Sequence, residues 1–388
     1  MLRRLLLATA FVTAVGLTVA DEPKKADPPK KDEPKKPELS PLAAKLKEVR
    51  AEMSKATSAA VKEINAEKDA GKRTKMIAEY RKIPTTFAPK LLALAKTDPK
   101  DPAAFGAAMT AVTGGSEKVA ADAADFLVAN YADDERLTAA VPQLASSEGG
   151  RKALAVLAAK TKNKAVAGQI KFTLVKQLIE DTDYPRTGEP LPPAEAAKKF
   201  AEAAAQLKEL VATYGEEKVP AGRNKTATIA AEAKKLDFFI NNLIVGKKAP
   251  AAECATLDED KKAKLSDYKG KVVVMDIWAT WCGPCIAMIP HERDMVKKLK
   301  DKPFVLLSVS ADAKKETLTE FLDKEPMPWT HWWNGASGNV LETFQVGFYP
   351  TIYVIDAKGV IRHKHLRGEK LEHAVEKLIA EIEKTETP

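Results

Sequence analysis

The chain has 388 residues, 45% of them apolar, and its 62 Lys and Arg against 54 Asp and Glu leave a net charge of +8. Such a length holds two or three domains at about 100–200 residues each. Basic and acidic residues are interleaved with no dense basic stripe carrying aromatics, which argues against nucleic-acid binding, and three cysteines are too few for a disulfide scaffold.

In chain order, Arg3-Arg4, the apolar stretch Leu5–Val19 and the small residues Thr18-Val19-Ala20 before Asp21 read as a signal peptide over residues 1–20. The alternative is an uncleaved N-terminal membrane anchor. The stretch is shorter than the ~20 apolar residues of a spanning helix, and no cysteine at the cleavage region offers a lipid anchor. No other segment could span a bilayer. The expectation is an exported protein of the periplasm or cell envelope, without a transmembrane segment in its mature form.

Residues 21–41 hold six lysines, six acids and six prolines, a composition that blocks regular structure and reads as a disordered linker. From 42 to 245 the chain is rich in Ala, Leu and Lys, with apolar residues at helical spacing such as Leu42, Leu46, Val49 and Met53. Gly71, Pro84, Pro99, Gly114-Gly115, Pro142, Gly149-Gly150, Pro185, Pro192-Pro193, Gly215 and Pro220 read as breakers. The clearest helical runs are 116–130, 149–160, 162–180, 193–214 and 224–245. Sparse β-branched and aromatic residues speak against strands. The expectation is an all-α domain of roughly ten helices, arranged as the stacked pairs of a helical repeat, with 184–193 as a long internal loop.

From 246 to 388 strands and helices alternate. The strands expected are 272–278, 304–310, 351–355 and 360–365, and the helices 286–300, 316–324 and 370–384. This is an α/β pattern.

The chemistry concentrates at Trp281-Cys282-Gly283-Pro284-Cys285, between the first of these strands and a helix. A helix start favours a thiolate on Cys282, and Cys285 is placed to resolve a mixed disulfide. A zinc knuckle is the bland alternative. It needs four ligands, and only Cys254 and His291 could be imagined as the others. His291, His331, His363, His365 and His373 show no repeated ligand spacing, so neither a metal nor any other cofactor is expected. Cys254 reads as a small buried hydrophobe or, less economically, as half of a regulatory disulfide. Trp329, Trp332 and Trp333 could line a client groove or pack a core.

Trp278-Ala279-Thr280-Trp281-Cys282-Gly283-Pro284-Cys285, Pro290 five residues on, Tyr349-Pro350-Thr351-Ile352-Tyr353 and the preceding Leu265–Lys271 together resemble the TlpA/ResA-like thiol–disulfide oxidoreductases of the thioredoxin fold. The resemblance covers about 246–386. It implies a thioredoxin-fold domain behind the helical one. It further implies that Asp276 is a buried carboxylate moving protons for Cys285, and that Pro350 is cis opposite the sulfurs. Trp281, Gly283, Pro284, Tyr349 and Thr351 would line the substrate groove. Gly283-Pro284 equals the dipeptide of reducing thioredoxins, implying a potential on the order of −270 mV. The partners implied are protein thiol or disulfide clients and an upstream electron donor, a membrane thiol reductase among the candidates. A peroxidase of the same fold would want Thr where Ala279 stands. A helical scaffold that binds clients or envelope, with an accessory redox domain, is the competing reading.

Overall fold

A computed structural model describes residues 39–386 other than 186–187, 223–224, 258–260 and 336–337. The expected signal peptide and nearly all of the expected linker lie outside these residues. Proline is tolerated at a first helical position, where its missing N–H would have no partner anyway, and the first helix begins at Pro41, a residue expected to close the linker.

Ten helices follow in the first part of the described chain: α1 (Pro41–Ala66), α2 (Ala70–Tyr80), α3 (Ile83–Thr97), α4 (Pro102–Gly114), α5 (Glu117–Tyr131), α6 (Arg136–Ala145), α7 (Glu148–Lys160), α8 (Lys164–Asp183), α9 (Pro193–Tyr214) and α10 (Ile229–Asn242). Short polar side chains start many of them. Asp69, Asp101, Ser116, Ser147, Asn163 and Thr228 each accept a hydrogen bond from a first-turn N–H. Several expected breakers sit inside helices. Gly71, Pro84 and Gly149-Gly150 occupy first turns, where no intrahelical N–H bond is lost. Gly150 is required there, because a Cβ would come within 1.9 Å of the Leu144 carbonyl oxygen. Pro142 lies within α6 and costs that short helix one rung.

The expected absence of strands needs correction. Between α9 and α10, β1 (Lys218–Pro220) pairs antiparallel with β2 (Thr226–Thr228), and α10 therefore starts at Ile229, later than the helical spacing suggested. Three-residue strands are too short to show a period of two. Two cores hold the helices. One gathers Leu46, Leu91, Leu127, Leu144 and Leu157, and the other Phe172, Phe200, Leu207, Ile229 and Ile240. Each fully buried leucine contributes about 1.5–3 kcal/mol.

A seven-stranded sheet follows, in the order β4-β3-β7-β6-β5-β8-β9. Its strands are β3 (Glu253–Thr256), β4 (Lys262–Lys264), β5 (Val272–Trp278), β6 (Phe304–Ser310), β7 (Thr330–Trp333), β8 (Thr351–Ile355) and β9 (Ile361–Lys364). The helices between them are α11 (Gly283–Ile286), α12 (Ile289–Lys298), α13 (Lys315–Lys324), α14 (Val340–Thr343) and α15 (Gly368–Glu386). β5 runs parallel to β6 and β6 to β7, whereas β8 lies antiparallel to β5. Every residue of β5 is buried. Its odd-numbered residues Val273, Met275 and Ile277 pack with Leu243 at the end of α10, and Val272 and Val274 pack with Met295, Leu371 and Leu378 of α12 and α15. Fold class is thus a helical region with one short β-hairpin, followed by α/β. β3, β4 and β7 were not foreseen, and β7 contains two of the three clustered tryptophans. Trp332 is fully buried and Trp329 packs on two cores, so those two pack core and do not line a groove.

The described residues from Pro41 onward form one compact unit. Gly246, at φ +90°, turns the chain from α10 into the sheet, and its N–H donates to the Ile361 carbonyl. At the edge of β9, Lys364 Nζ lies 2.6 and 2.7 Å from the two carboxylate oxygens of Asp183 at the end of α8, with the side chains 3% and 12% exposed. Phe239 of α10 and Tyr353 of β8 enclose the ammonium at 4.5 and 5.1 Å. Burial pulls the Lys364 amine down, against the opposing charge of Asp183. Burial pushes Asp183 up, but the Lys364 charge and the bonds from His365 and Lys364 hold it below the usual carboxylate range. Removing either partner strands a buried charge, at a cost of about 3–5 kcal/mol.

Candidate functional site

Strand β5 delivers the redox loop. After Trp278, itself buried against Phe321, the chain turns through Ala279-Thr280-Trp281, and the Cys282 N–H closes the turn on the Ala279 carbonyl. Cys282 caps α11, and its Sγ accepts the Cys285 N–H at 3.2 Å. The sulfurs of Cys282 and Cys285 are joined, 2.01 Å apart. Both residues are nearly covered, at 5% and 3% exposed, so Cys282 is less open than a helix-start position suggests. Around them Trp281 (67% exposed), Gly283 and Pro284 face solvent. Pro290 has no N–H to offer the Ile286 carbonyl, and the expected single helix over 286–300 divides into α11 and α12.

Two groups hold the loop. Asp312, buried just after β6, accepts from Thr280 Oγ1 (2.8 Å), Thr280 N (3.1 Å) and Ser310 Oγ (2.8 Å), and its carbonyl accepts Trp333 Nε1 (2.8 Å). The sequence reading missed this residue. From the other side comes the segment before β8, where the Tyr349–Pro350 peptide is cis. Tyr349 meets Trp281 edge-on at 5.4 Å between ring centres. Burial, helped by the Asp312 charge, pushes the Tyr349 hydroxyl pKa up. Thr351 is buried and donates to the Phe348 carbonyl at 2.6 Å, so it braces the loop from within and does not line its surface.

Two buried carboxyls sit on the elements either side of the redox loop, Asp276 on β5 and Glu292 on α12. Asp276, in register with Ser308 of β6 and Ile352 of β8, is 4% exposed and its Oδ1 has no partner among the described residues. Burial raises its pKa, opposed by the charge of Arg367. Glu292 of α12 was not foreseen. It is 1% exposed with Oε1 unpartnered among the described residues, and burial first, then the Asp276 charge, raises its pKa. Each carboxyl disfavours ionisation of the other, so the pair holds a proton to higher pH than either would alone in water. A signal for Glu292 exists in the sequence, since it falls on the inward stripe Ile289–Met295–Leu299 of its helix.

The remaining expectations distribute elsewhere. Cys254 is fully buried on β3, 3.7 Å from Asn334 Oδ1, and burial pushes its thiol up to about 11. His365 contacts Asp183 at 3.3 Å, His291 contacts Glu372 at 3.5 Å, and His331 contacts the Met327 carbonyl at 2.9 Å. Among the described residues no group of three or more His, Cys, Asp or Glu could hold a metal ion, and no helix is long and apolar enough to cross a membrane.

The C-terminal part of the chain is similar to known proteins. The AhpC/TSA family profile matches residues 245–364. The chain is 33% identical over 124 residues to the thiol-disulfide oxidoreductase ResA of Oceanobacillus iheyensis, covering 30% of this chain and 62% of that protein. It is 32% identical over 123 residues to the thioredoxin-like protein YneN of Bacillus subtilis, covering 31% of this chain and 71% of that protein. Among solved structures, the thioredoxin domain of a thiol-disulfide oxidoreductase from Bacteroides vulgatus shares 29% identity, with 36% of this chain and 99% of that domain covered and a TM-score of 0.34.

Proposed function

Since the chain belongs to the ResA-like thiol–disulfide oxidoreductases of the thioredoxin fold, we propose that it reduces disulfides of protein clients through a Cys282/Cys285 dithiol–disulfide cycle. The observation that carries this is the Cys282–Cys285 disulfide just after β5, flanked by exposed Trp281, with buried carboxyls on the strand before it and the helix after it. In the reduced protein, the Cys282 thiolate attacks a client S–S bond, forming a mixed disulfide and expelling one client thiolate. Asp276 takes the Cys285 proton, and the Cys285 thiolate attacks Cys282 Sγ and expels the second client thiolate. Two electrons pass from protein to client, and the protein is left with the disulfide seen here. An external dithiol donor reverses that last bond.

Ionised Cys282 is favoured by the Cys285 N–H aimed at its sulfur. Peroxide reduction is disfavoured because Thr280, the nearest hydroxyl in sequence, is committed to Asp312. The N-terminal sequence supports export to a periplasm or envelope. As for the helical region as a separable scaffold, Asp183 of α8 and Leu243 after α10 are built into the redox part. Deleting 42–245 would therefore damage the sheet as well as remove a docking surface. Equilibration against glutathione or dithiothreitol buffers tests the direction. A reductase gives a potential on the order of −270 mV, whereas one above about −150 mV marks an oxidant.

A further inference from the structure

Four aromatic side chains stand out as exposed among the described residues: Tyr184, Phe238, Trp281 and Phe348. Three of them are tied to the cis-proline loop, directly or through a neighbour. Trp281 meets Tyr349, and Phe348 precedes Tyr349 in the cis-proline loop. The Phe348 ring lies 6.1 Å from that of Tyr184, which belongs to the helical region at the end of α8. His365 sits between the two, 4.9 Å from Tyr184 and 5.4 Å from Phe348. Tyr184 is 49% exposed and Phe348 45%. Aromatic contacts thus tie Trp281 to Tyr349 at one side of the cis-proline loop and Phe348 of the same loop to Tyr184 of the helical region.

Tyr184 is also held in place. Its own N–H bonds the Glu180 carbonyl. The preceding Asp183 is locked to Lys364 and His365, and His365 is kept in the left-handed region at φ +58°. A half-exposed ring on so fixed a backbone, beside a second exposed ring, loses little freedom on binding and suits a preformed contact for a partner. The partner's position is set by chemistry. Tyr349 of the cis-proline loop packs against the cluster that holds both cysteines, so a client chain that follows this loop away from the sulfurs meets Phe348 and then Tyr184. A small disulfide would cover the Trp281 end only.

Resting on the exchange reading above, we infer that Tyr184 is a specificity-determining residue. With Phe348 it receives an aromatic or large aliphatic side chain of an extended client polypeptide, a few residues from the client cysteine at about 3.3 Å per residue. The client class is therefore an unfolded or loop segment with an apolar residue near its disulfide, and the helical region takes part in choosing it.

The test uses the full chain and two ten-residue peptides. Each carries one cysteine disulfide-linked to cysteamine, with Phe or Ser four residues from it. Wild type should prefer the Phe peptide in kcat/KM, mostly through KM. Tyr184→Ala should shrink that preference about tenfold, and Tyr184→Phe should restore it, because the ring and not the hydroxyl makes the contact. A preference unaltered by Tyr184→Ala, or absent in wild type, overturns the inference. Reduction of 2-hydroxyethyl disulfide by wild type reports the exchange chemistry alone. If it proceeds while the peptide preference is missing, the exchange reading stands and only the role of Tyr184 falls.

Discussion

Cys285→Ser should turn the reduced protein into a trap. Client chains should accumulate as mixed disulfides on Cys282, and multiple turnover should fall on the order of a thousandfold or more. Cys282→Ser should lose the same turnover and capture nothing. The asymmetry has a structural source. Cys282 accepts the Cys285 N–H, so its thiolate is the one stabilised, and its chain neighbours Trp281 and Gly283 are exposed. Cys285 sits one turn in, and its role begins once the first bond has formed. Non-reducing electrophoresis with peptide mapping of the adduct reads this directly. Adducts on Cys285 in a Cys282→Ser protein, with none in Cys285→Ser, would reverse the assignment.

The second large effect belongs to the buried acids. Both Asp276 and Glu292 have pKa values raised by burial, so the folded state binds protons that the unfolded state has released. Stability contributed this way is fully present below the ordinary carboxylate pKa and is lost as pH rises toward the raised values, the reverse of a salt-bridged acid. Glu292→Gln keeps the shape and removes the titration. It should therefore raise the melting temperature by several degrees at pH 8, for a gain on the order of 2–3 kcal/mol, while the two proteins nearly coincide at pH 5. Equal differences at both pH values would show that the carboxyl is ionised and paired in the folded protein. Asp276→Asn should also stabilise at high pH, but at a cost in rate. Release of the mixed disulfide should slow on the order of a hundredfold relative to initial attack, because the proton of Cys285 loses its acceptor. Single-turnover kinetics separate the two steps.

The redox half was legible where sequence and tertiary demands agree. β5 reads as a strand because all seven of its residues are apolar or buried by design of the sheet, and the CxxC with its following Pro290 announces both a helix start and a kink. The edges were harder. β3 and β4 are short and each carries Ala beside charged residues, and β7 follows Pro326 and Pro328 and reads as an aromatic loop until β6 is beside it. Glu292 was hidden by its neighbours His291, Arg293 and Asp294, which together look like a solvated face. Only the helical stripe of Ile289 and Met295 gives it away. Asp312, Asp183 and Lys364 act through partners far along the chain, and no local pattern encodes those meetings. In the helical half, period and composition announced helices well, whereas Gly and Pro were misread as ends when several occupy first turns.

The most direct test is the pH dependence of iodoacetamide alkylation in the fully reduced protein, followed separately at Cys282 and Cys285. Cys282 should react first, with a half-rise at least about one unit below the ~8.5 of an ordinary thiol, and Cys285 should remain protected until higher pH. Two sulfurs that react together and slowly, with a common half-rise near 8.5, would contradict the account.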